Sequence, residues 1–376
     1  MCSCWGARGA DGNGKANMTS TNDAIDLLNL SFDELVALVV SWEQPRFRAA
    51  QIWRWVYHTL TADFGEMVNL PAALRAQLAE HTYVGRLEPV DVAVSDDGLT
   101  EKTVFRTRDG HYIETVLMRY TNRNTLCLSS QIGCALGCVF CSTGQSGFAR
   151  DLSAGEISAQ VLHYAQKLAQ QNAHVTNVVF MGMGEPMLND EAVWRAIANL
   201  NDREGLALGA RRFTISTAGI VPGIERMARE AMEVGLAVSL HAPDNALRNR
   251  IVPINRRYAI ERLLEACRRY IERTGRRVTF EYILMDGIND SDEHARRTAE
   301  LLRNLLCHVN LIPLNPSPAC PFRPSPRERV MRFQEILVNG RIQTTLRASR
   351  GLEIEAGCGQ LRERYAKRSA EAGQHG

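Results

Sequence analysis

The hydrophobic pattern of the chain changes at about residue 125. Beyond it, short runs of apolar, mostly β-branched residues alternate with longer stretches whose apolar positions recur at helical spacing. The apolar runs predict strands at 125–129, 175–181, 212–217, 236–241, 278–284 and 309–314, with a further extended run at 344–348. The helical stretches predict helices at 154–170, 191–202, 221–233, 258–273, 292–306 and 326–338. Six strand–helix units indicate parallel strands with helical crossovers, in an open barrel, a closed barrel or a doubly wound sheet.

The chain before residue 125 follows another pattern. Residues 25–82 show helical spacing, and Ser31 and Glu34 occupy the two positions of a capping box. Residues 86–120 instead predict short strands, with a turn at Asp109-Gly110. The predicted strands cover 87–94, 102–106 and 112–118.

These patterns divide the chain into four predicted parts. They are a disordered leader at 1–24, a small helical N-terminal accessory domain at 25–100, an α/β domain at 101–361 and a mobile tail at 362–376. The leader has no apolar core like that of a secretory signal. No run of about 18 apolar residues occurs, so we expect no transmembrane helix.

Composition changes this picture only through cysteine. The chain has 376 residues, and 45% of them are hydrophobic. Its net charge of +2 is too small to indicate, by itself, binding to nucleic acid or to a membrane surface. Ten cysteines without a signal peptide indicate a reducing compartment, the cytoplasm, with metal or redox chemistry where they cluster.

Three cysteines do cluster, in the spacing C-x3-C-x2-C: Cys134, Cys138 and Cys141. A structural zinc site would need a fourth ligand from elsewhere in the chain. A [4Fe–4S] cluster held by three thiolates leaves one iron open for a substrate's amino and carboxylate groups. The glycine-containing loop directly after a predicted strand favours the cluster.

The same spacing is the signature of the radical S-adenosylmethionine (SAM) superfamily, and further segments resemble the RlmN/Cfr family of RNA adenosine methyltransferases. The segments lie in order between about residues 46 and 361: 125–150, 181–186 (MGMGEP), 239–243 (SLHAP), 252–255 (VPIN), 310–315 (NLIPLN) and 358–361 (CGQL). The RlmN branch fits best, because Ala135-Leu136 resembles it. Gly357 departs from the alanine that usually precedes the cysteine at 358.

The resemblance implies a partial (β/α)6 radical-SAM barrel with SAM bound at the strand ends. Gly184 and Glu185 would meet the SAM ammonium group. The ribose, carboxylate and adenine would be contacted by Ser216, Ser239, Leu240, His241 and Asn315. Read without the family, a Gly-x-Gly segment is often only a tight turn, and a histidine such as His241 is more often a core residue.

The resemblance also implies three catalytic residues: Cys358 as methyl carrier, Glu114 as proton acceptor and Cys127 as resolving thiol. One SAM methylates Cys358, and a second SAM yields a 5′-deoxyadenosyl radical that takes a hydrogen from the S-methyl group. The methylene radical adds to adenine C2, and a transient Cys127–Cys358 disulfide releases the product. Two SAM molecules are used per turnover. Read alone, free cysteines are usually buried apolar residues, as we expect for Cys267 and Cys307, and Glu114 could equally face water.

The residues that contact RNA are the weakest prediction. Arginines alternate with aromatic residues along one amphipathic stretch: Arg46, Phe47, Arg48, Trp53, Arg54, Trp55 and Tyr57. Such a mixture can grip unstacked RNA, but aromatics at helical spacing are more often core. Other basic positions, including Arg248 and Arg347, read as solvated surface by default.

The family implies a cytoplasmic, monomeric enzyme that methylates C2 of an adenosine in 23S rRNA and C2 of the adenosine 3′ of the anticodon in some tRNAs. A flavodoxin- or ferredoxin-type protein would supply electrons. Two alternatives stay open: a Cfr-type C8 methyltransferase, and a zinc-stapled RNA-binding protein without catalytic activity.

Overall fold

The computed structural model of the chain describes residues 24–315, 320–347 and Ile354. Its strands are β1 (Ile25–Asp26), β2 (Thr82–Tyr83), β3 (Glu88–Val94), β4 (Thr100–Arg106), β5 (Tyr112–Tyr120), β6 (Arg123–Cys127), β7 (Gln131–Gly133), β8 (Phe148–Asp151), β9 (Asn177–Phe180), β10 (Phe213–Thr217), β11 (Gly235–Ser239), β12 (Val278–Leu284), β13 (Cys307–Pro313) and β14 (Thr344–Leu346). Its α-helices are α1 (Phe32–Ser41), α2 (Phe47–Tyr57), α3 (Ala72–His81), α4 (Ser142–Gln145), α5 (Ala154–Ala169), α6 (Asp190–Asn201), α7 (Val221–Met227), α8 (Asn245–Ile251), α9 (Ile260–Thr274), α10 (Asp292–Leu302) and α11 (Arg327–Asn339).

Ten of these strands form one sheet, in the order β14-β13-β12-β11-β10-β9-β6-β5-β4-β3. The seven strands from β14 to β6 pair in parallel, and helices connect them as predicted. The six predicted strand–helix units are therefore confirmed, and they form a partial barrel, as the resemblance implied. The two ends of the sheet are β14 and β3, so the barrel is open.

The other end of the sheet is antiparallel. Strands β3, β4, β5 and β6 pair in chain order, as consecutive hairpins do. The three strands predicted between residues 87 and 118 are thus present and extend the barrel sheet. The predicted domain boundary at residue 100 falls between β3 and β4, which pair along their length, so residues 88–94 lie in the same sheet as the barrel strands.

The N-terminal helices pack directly on the barrel. The predicted capping box begins α1, where Ser31 and Glu34 exchange hydrogen bonds through side chain and backbone. Asn199 of α6 donates to the Leu30 carbonyl at 2.9 Å and to the Tyr57 hydroxyl at 3.3 Å. One continuous apolar core runs through the N-terminal helices and the barrel. Because a shared core resists separation, α1 to α3 form a fixed wall beside the barrel.

The aromatic residues of α2 divide between core and surface. Trp53 is 1% exposed and Tyr57 is fully buried, so neither can stack on RNA as the sequence pattern allowed. Phe47 is 56% exposed, with the Arg48 guanidinium 4.8 Å from its ring centre. The fourth aromatic of this helix, Trp55, is half-buried, so Phe47 is the most exposed of the four. None of the helices among the described residues has the length and apolar character needed to cross a bilayer.

Candidate active site

A cavity of about 330 Å³ opens at the carboxyl ends of the parallel strands, the edge at which barrel enzymes place their chemistry. Most of the predicted site residues line it: Glu114, Cys127, Cys134, Cys138, Cys141, Gly184, Glu185, Ser216, Ser239, His241 and Asn315. Leu240 is fully buried and does not line the cavity, although its neighbours Ser239 and His241 do. Cys358 lies outside the described residues.

The three clustered cysteines occupy a loop that folds back on itself after β7. The Cys134 amide donates to the Gly147 carbonyl at 2.8 Å. Gly133 has a φ of +76°, and a Cβ there would lie 1.9 Å from the same oxygen, so only glycine fits this close approach. The Cys141 amide donates to the Cys138 carbonyl at 3.1 Å, which turns the loop between the second and third thiols. All three side chains consequently face one cavity.

The electrostatics of this loop disfavour bare thiolates. Burial raises the pKa of Cys134 to about 12 and raises the pKa of Cys138 as well, and the neighbouring thiols and Glu185 act in the same direction. Thiolates packed this closely need a cationic centre among them. No group of three His, Cys, Asp or Glu side chains within the described ranges is arranged to hold a single metal ion. The donor set, three thiols around an enclosed space, fits an iron–sulfur cluster.

Glu185 is the most strongly held acid of the cavity. One of its carboxylate oxygens accepts from the Met187 amide at 3.1 Å and the other from the Ala218 amide at 2.7 Å. Burial raises the pKa of Glu185 to about 7, against the lowering effect of these hydrogen bonds. At Gly184, where φ is +98°, a Cβ would lie 2.5 Å from the Gln131 Cβ. Glycine therefore lets the Glu185 segment pass over β7 and reach the cavity.

His241 lies two residues beyond the end of β11 and has an unusual backbone conformation, with a φ of +59°. Its Nδ1 accepts from the Ile283 amide at 3.1 Å, so the neutral ring carries its proton on Nε2. Burial lowers the pKa of His241 to about 3, and the ring is neutral at physiological pH. Its edge meets the Phe140 ring, 4.9 Å away, which lies in the cysteine loop. His241 thus offers a hydrogen-bond donor rather than a charge.

Asn315 supplies an independent sign that the cavity holds a polar ligand. Its Oδ1 is buried and has no hydrogen-bond partner among the described residues. A buried acceptor without a donor is costly, and a ligand with N–H or O–H groups removes that cost. The cavity therefore fits SAM, whose ammonium and ribose groups are donors.

Cys127 and Glu114 lie on the antiparallel side of the cavity. Cys127 ends β6 opposite Val116 of β5, and Glu114 is two residues from Val116 on the same face. Glu114 is buried, so the alternative that it faces water is wrong. Burial raises the pKa of the Cys127 thiol to about 11; Arg347 lowers it and Glu114 raises it further. Cys267 and Cys307 are buried in the apolar core, as predicted.

Arg248 was read from sequence as surface and is instead fully buried. Its guanidinium donates to the carbonyls of Leu240 (3.0 Å), Ser239 (2.8 Å) and Ala218 (2.7 Å) and to the Asn255 Oδ1 (2.8 Å). It therefore ties together the ends of β10 and β11. No sequence signal identified it, since a short helix with four basic or amide residues does not reveal its buried face.

Two further cavity residues were missed, Glu281 on β12 and Arg347 after β14. A signal existed for Glu281: it is an acid within an otherwise apolar strand pattern, flanked by Phe280 and Tyr282. No comparable signal marked Arg347, because its position depends on where β14 joins the sheet.

The fold and this cysteine loop define a radical SAM enzyme, and residues 128–299 match the family model described as the radical SAM superfamily. Residues 25–84 match the ribosomal RNA large subunit methyltransferase N-terminal domain. The chain belongs to the RlmN family of radical SAM RNA methyltransferases. It is a SAM-dependent enzyme that carries a [4Fe–4S] cluster with three cysteine ligands, and this family membership decides against the zinc-stapled alternative.

Relatives support this assignment along most of the chain. A protein of Chloroflexus aurantiacus named "Probable dual-specificity RNA methyltransferase RlmN" is 48% identical over 90% of this chain and 93% of its own length. The ribosomal RNA large subunit methyltransferase N of Nitrosopumilus maritimus is 46% identical over 90% of this chain and 98% of its own. The crystal structure of a radical SAM methyltransferase from Sphaerobacter thermophilus superposes with a TM-score of 0.87, at 52% identity, and covers 89% of this chain and 98% of that one.

Proposed function

We propose that the chain methylates C2 of one adenosine in the peptidyl-transferase centre of 23S rRNA, and C2 of the adenosine 3′ of the anticodon in certain tRNAs. The observation that carries this proposal is the shared cavity: a half-buried thiol at Cys127 and a buried carboxyl at Glu114 face the same space as the three clustered cysteines. A methyl transfer to an unreactive aromatic carbon needs a radical source, a thiol and a base within one site.

Cys134, Cys138 and Cys141 are the proposed cluster ligands. When bound, the cluster supplies the electron that splits SAM into methionine and a carbon radical. The backbone of Gly184, the Glu185 carboxylate and the Asn315 amide would accept hydrogen bonds from SAM. Neutral His241 and the hydroxyls of Ser216 and Ser239 can donate or accept beside them. Leu240 is buried, and its carbonyl accepts a hydrogen bond from Arg248, so we propose that it supports the cavity wall rather than contacting SAM through its side chain.

Cys127 releases the product. Its thiolate attacks the sulfur of Cys358, a Cys127–Cys358 bond forms, and the sulfur–carbon bond to the base breaks with its electron pair leaving on carbon, which takes up a proton and becomes the methyl group of the product. Glu114 takes the C2 proton, which is a reasonable task for a carboxyl shielded from water. Cys358 carries the methyl group on its sulfur before the radical step. The disulfide is transient and must be reduced in each turnover.

The remaining parts of the proposal concern the cellular context. We place the enzyme in the cytoplasm as a monomer, with electrons from a flavodoxin- or ferredoxin-type donor. The RNA would enter over the antiparallel side of the sheet, where the N-terminal helices form a wall. An adenosine in folded RNA must leave its stack to reach a cavity of this depth.

The test is mass spectrometry of nucleosides from rRNA and tRNA of a strain that lacks its own enzyme and is complemented with this chain. We expect 2-methyladenosine in both RNAs. Finding 8-methyladenosine as the main product would assign the chain to the Cfr type. Finding no methylated adenosine, with a fully loaded cluster, would overturn the proposed substrate.

A further inference from the structure

Glu281 is a buried acid in the cavity that the proposed mechanism does not use. It lies on β12 and is 4% exposed. Its Oε1 accepts from the Asn310 amide at 3.0 Å, while its Oε2 is buried and has no hydrogen-bond partner among the described residues. Burial raises the pKa of this carboxyl. An acceptor left unpaired in a low-dielectric site is costly unless a ligand supplies a donor.

The neighbours of Glu281 hold it in one orientation. The Oδ1 of Asn310 accepts from the Thr345 hydroxyl at 2.6 Å, so the amide nitrogen of Asn310 must point to Glu281. The Nε2 of His308 lies 2.8 Å from the same hydroxyl and closes the network. Because Glu281 comes from β12, Asn310 and His308 from β13 and Thr345 from β14, the sheet itself fixes the network. The Oε2 of Glu281 is consequently a positioned acceptor rather than a freely turning one.

Arg347 faces the same cavity with the opposite hydrogen-bonding character. Its backbone amide donates to the Leu311 carbonyl at 2.9 Å, which anchors it at the end of β14. Its guanidinium nitrogens lie 3.8 Å from the Met118 sulfur and 3.9 Å from the Met181 sulfur, both weak acceptors. Within the described ranges, no carboxylate lies within 4.0 Å of its guanidinium, Glu281 included. The cavity thus contains a carboxyl acceptor and a guanidinium donor that form no salt bridge with each other, although the charge of Arg347 acts to lower the pKa of Glu281.

We propose that Glu281 and Arg347 bind the hydrogen-bonding edge of an adenine, with Glu281 accepting from the exocyclic amine and Arg347 donating to a ring nitrogen. Adenine presents that amine beside a ring-nitrogen acceptor, which complements the pair. Guanine presents a carbonyl oxygen where Glu281 requires a donor, so the pair rejects it. Enzymes that act on extruded bases read them through such edge contacts.

This inference rests on the proposed function, because two adenines then reach the cavity: that of the target adenosine and that of SAM. The position of Arg347 favours the RNA base, since its charge acts on Cys127, the residue proposed to release the RNA. Glu281, in contrast, pairs in register with Ser239, one of the proposed SAM contacts. The experiment therefore measures both ligands separately.

The central variant is Glu281→Gln in the holoenzyme. Gln keeps the shape and the acceptor for Asn310, but turns a donor toward the cavity where the adenine amine must dock. The probe is a target RNA hairpin in two forms, with adenosine or with purine riboside, which lacks the amine, at the target position. For the RNA arm, we expect the affinity for RNA to fall about tenfold or more when either the Glu281 carboxylate or the adenine amine is removed. Removing both should cause no further loss.

The SAM arm measures the dissociation constant of SAM by equilibrium dialysis, without RNA. A loss of about tenfold or more there, with RNA affinity unchanged, assigns the adenine to SAM. Unchanged affinity for both ligands overturns the proposal, as does an equal loss for the adenosine and purine RNAs. Arg347→Gln should lower the affinity for the same ligand as Glu281→Gln does. If one variant lowers only the affinity for RNA and the other only the affinity for SAM, the two residues do not bind one adenine, and the proposal fails.

Glu101→Gln is the matched control. Glu101 is an equally buried acid of the sheet, outside the cavity, and pairs with Lys167 at 2.6 Å. This variant should keep both affinities, which separates loss of an adenine contact from general destabilisation. Production of methyladenosine by wild-type enzyme on the adenosine RNA tests the proposed function independently. If wild type methylates that RNA and Glu281→Gln binds both ligands normally, only the present inference fails.

Discussion

The two sides of the cavity are built on different principles. On the parallel side, the functional groups stand where strands end, and each end is tied to others by buried polar contacts such as those of Arg248. On the antiparallel side, Glu114 and Cys127 lie within paired strands, and their relation follows from hairpin register. Strand ends converge only when the whole barrel is assembled, whereas a hairpin sets its cross-strand neighbours locally.

The two sides also differ in electrostatics. The parallel side keeps buried charges and holds them with hydrogen bonds: both oxygens of Glu185 accept from backbone amides, and Arg248 makes four donations. The antiparallel side buries a neutral thiol whose pKa is raised to about 11. The first arrangement suits the binding of a charged cofactor. The second keeps the Cys127 thiol protonated, and therefore unreactive, near neutral pH.

The largest expected effect breaks the parallel side completely. Changing Cys134, Cys138 or Cys141 to Ala should abolish bound iron and all SAM cleavage, because each thiolate is one of three cluster ligands. Iron analysis and 5′-deoxyadenosine production measure this. Cys267→Ala is the control, since that cysteine is fully buried in the core, away from the cavity. Full 5′-deoxyadenosine production by any cluster variant would contradict the ligand assignment.

The next effect separates the antiparallel side from the parallel one. Cys127→Ala should still load the cluster, cleave SAM and attack RNA, but should fail to release it. A thioether has no ordinary cleavage route without an attacking thiol. The variant should co-purify with nuclease-sensitive extra mass at Cys358, detectable by mass spectrometry.

Two comparison variants sharpen this result. Cys358→Ala should carry no methyl group and produce no methylated RNA, and the Cys127→Ala, Cys358→Ala double variant should trap nothing. Repeated turnover by Cys127→Ala without trapped RNA would show that another group resolves the intermediate.

An intermediate effect tests how the strand ends are held together. Arg248→Met should leave three strand-end carbonyls without their donor and cost about 3 kcal/mol of folding free energy. SAM affinity should fall as the ends of β10 and β11 separate. Chemical denaturation and equilibrium dialysis measure the two losses, with Arg296→Met on the exposed face of α10 as the control. A stable Arg248→Met variant with normal SAM affinity would mean that the ends hold without it.

The smallest effect concerns pH and the antiparallel side. Only the thiolate of Cys127 attacks, and a thiol pKa of about 11 leaves few thiolates at neutral pH. The release step should therefore accelerate about tenfold per pH unit between pH 7 and 9. Decay of the wild-type RNA adduct after a pH jump measures it, and Arg347→Gln should be slower at each pH. A rate that does not change with pH would show that thiol ionisation does not limit release.

The sequence by itself determined the order of the elements and most of the chemistry-bearing positions. The six strand–helix units, the capping box of Ser31 and the cysteine triplet follow from local periodicity and spacing, which short-range interactions decide. The strand-end positions of Ser216, Ser239 and Asn315 followed from the same pattern, because parallel strands present one common edge.

The tertiary structure decided what surrounds each position. Trp53 and Tyr57 are core rather than RNA contacts because other elements pack on them: the Phe32 ring of α1 lies 5.6 Å from the Trp53 ring, and Asn199 of α6 donates to the Tyr57 hydroxyl. Arg248 is buried because α8 turns it toward the ends of β10 and β11. Strand β3 belongs to the sheet because it pairs with the edge of β4. Glu281 and Arg347 are 66 residues apart and meet in one cavity only through the order of β12, β13 and β14. Burial and pairing of this kind depend on packing between residues that are far apart in the sequence, and local sequence patterns do not predict such packing.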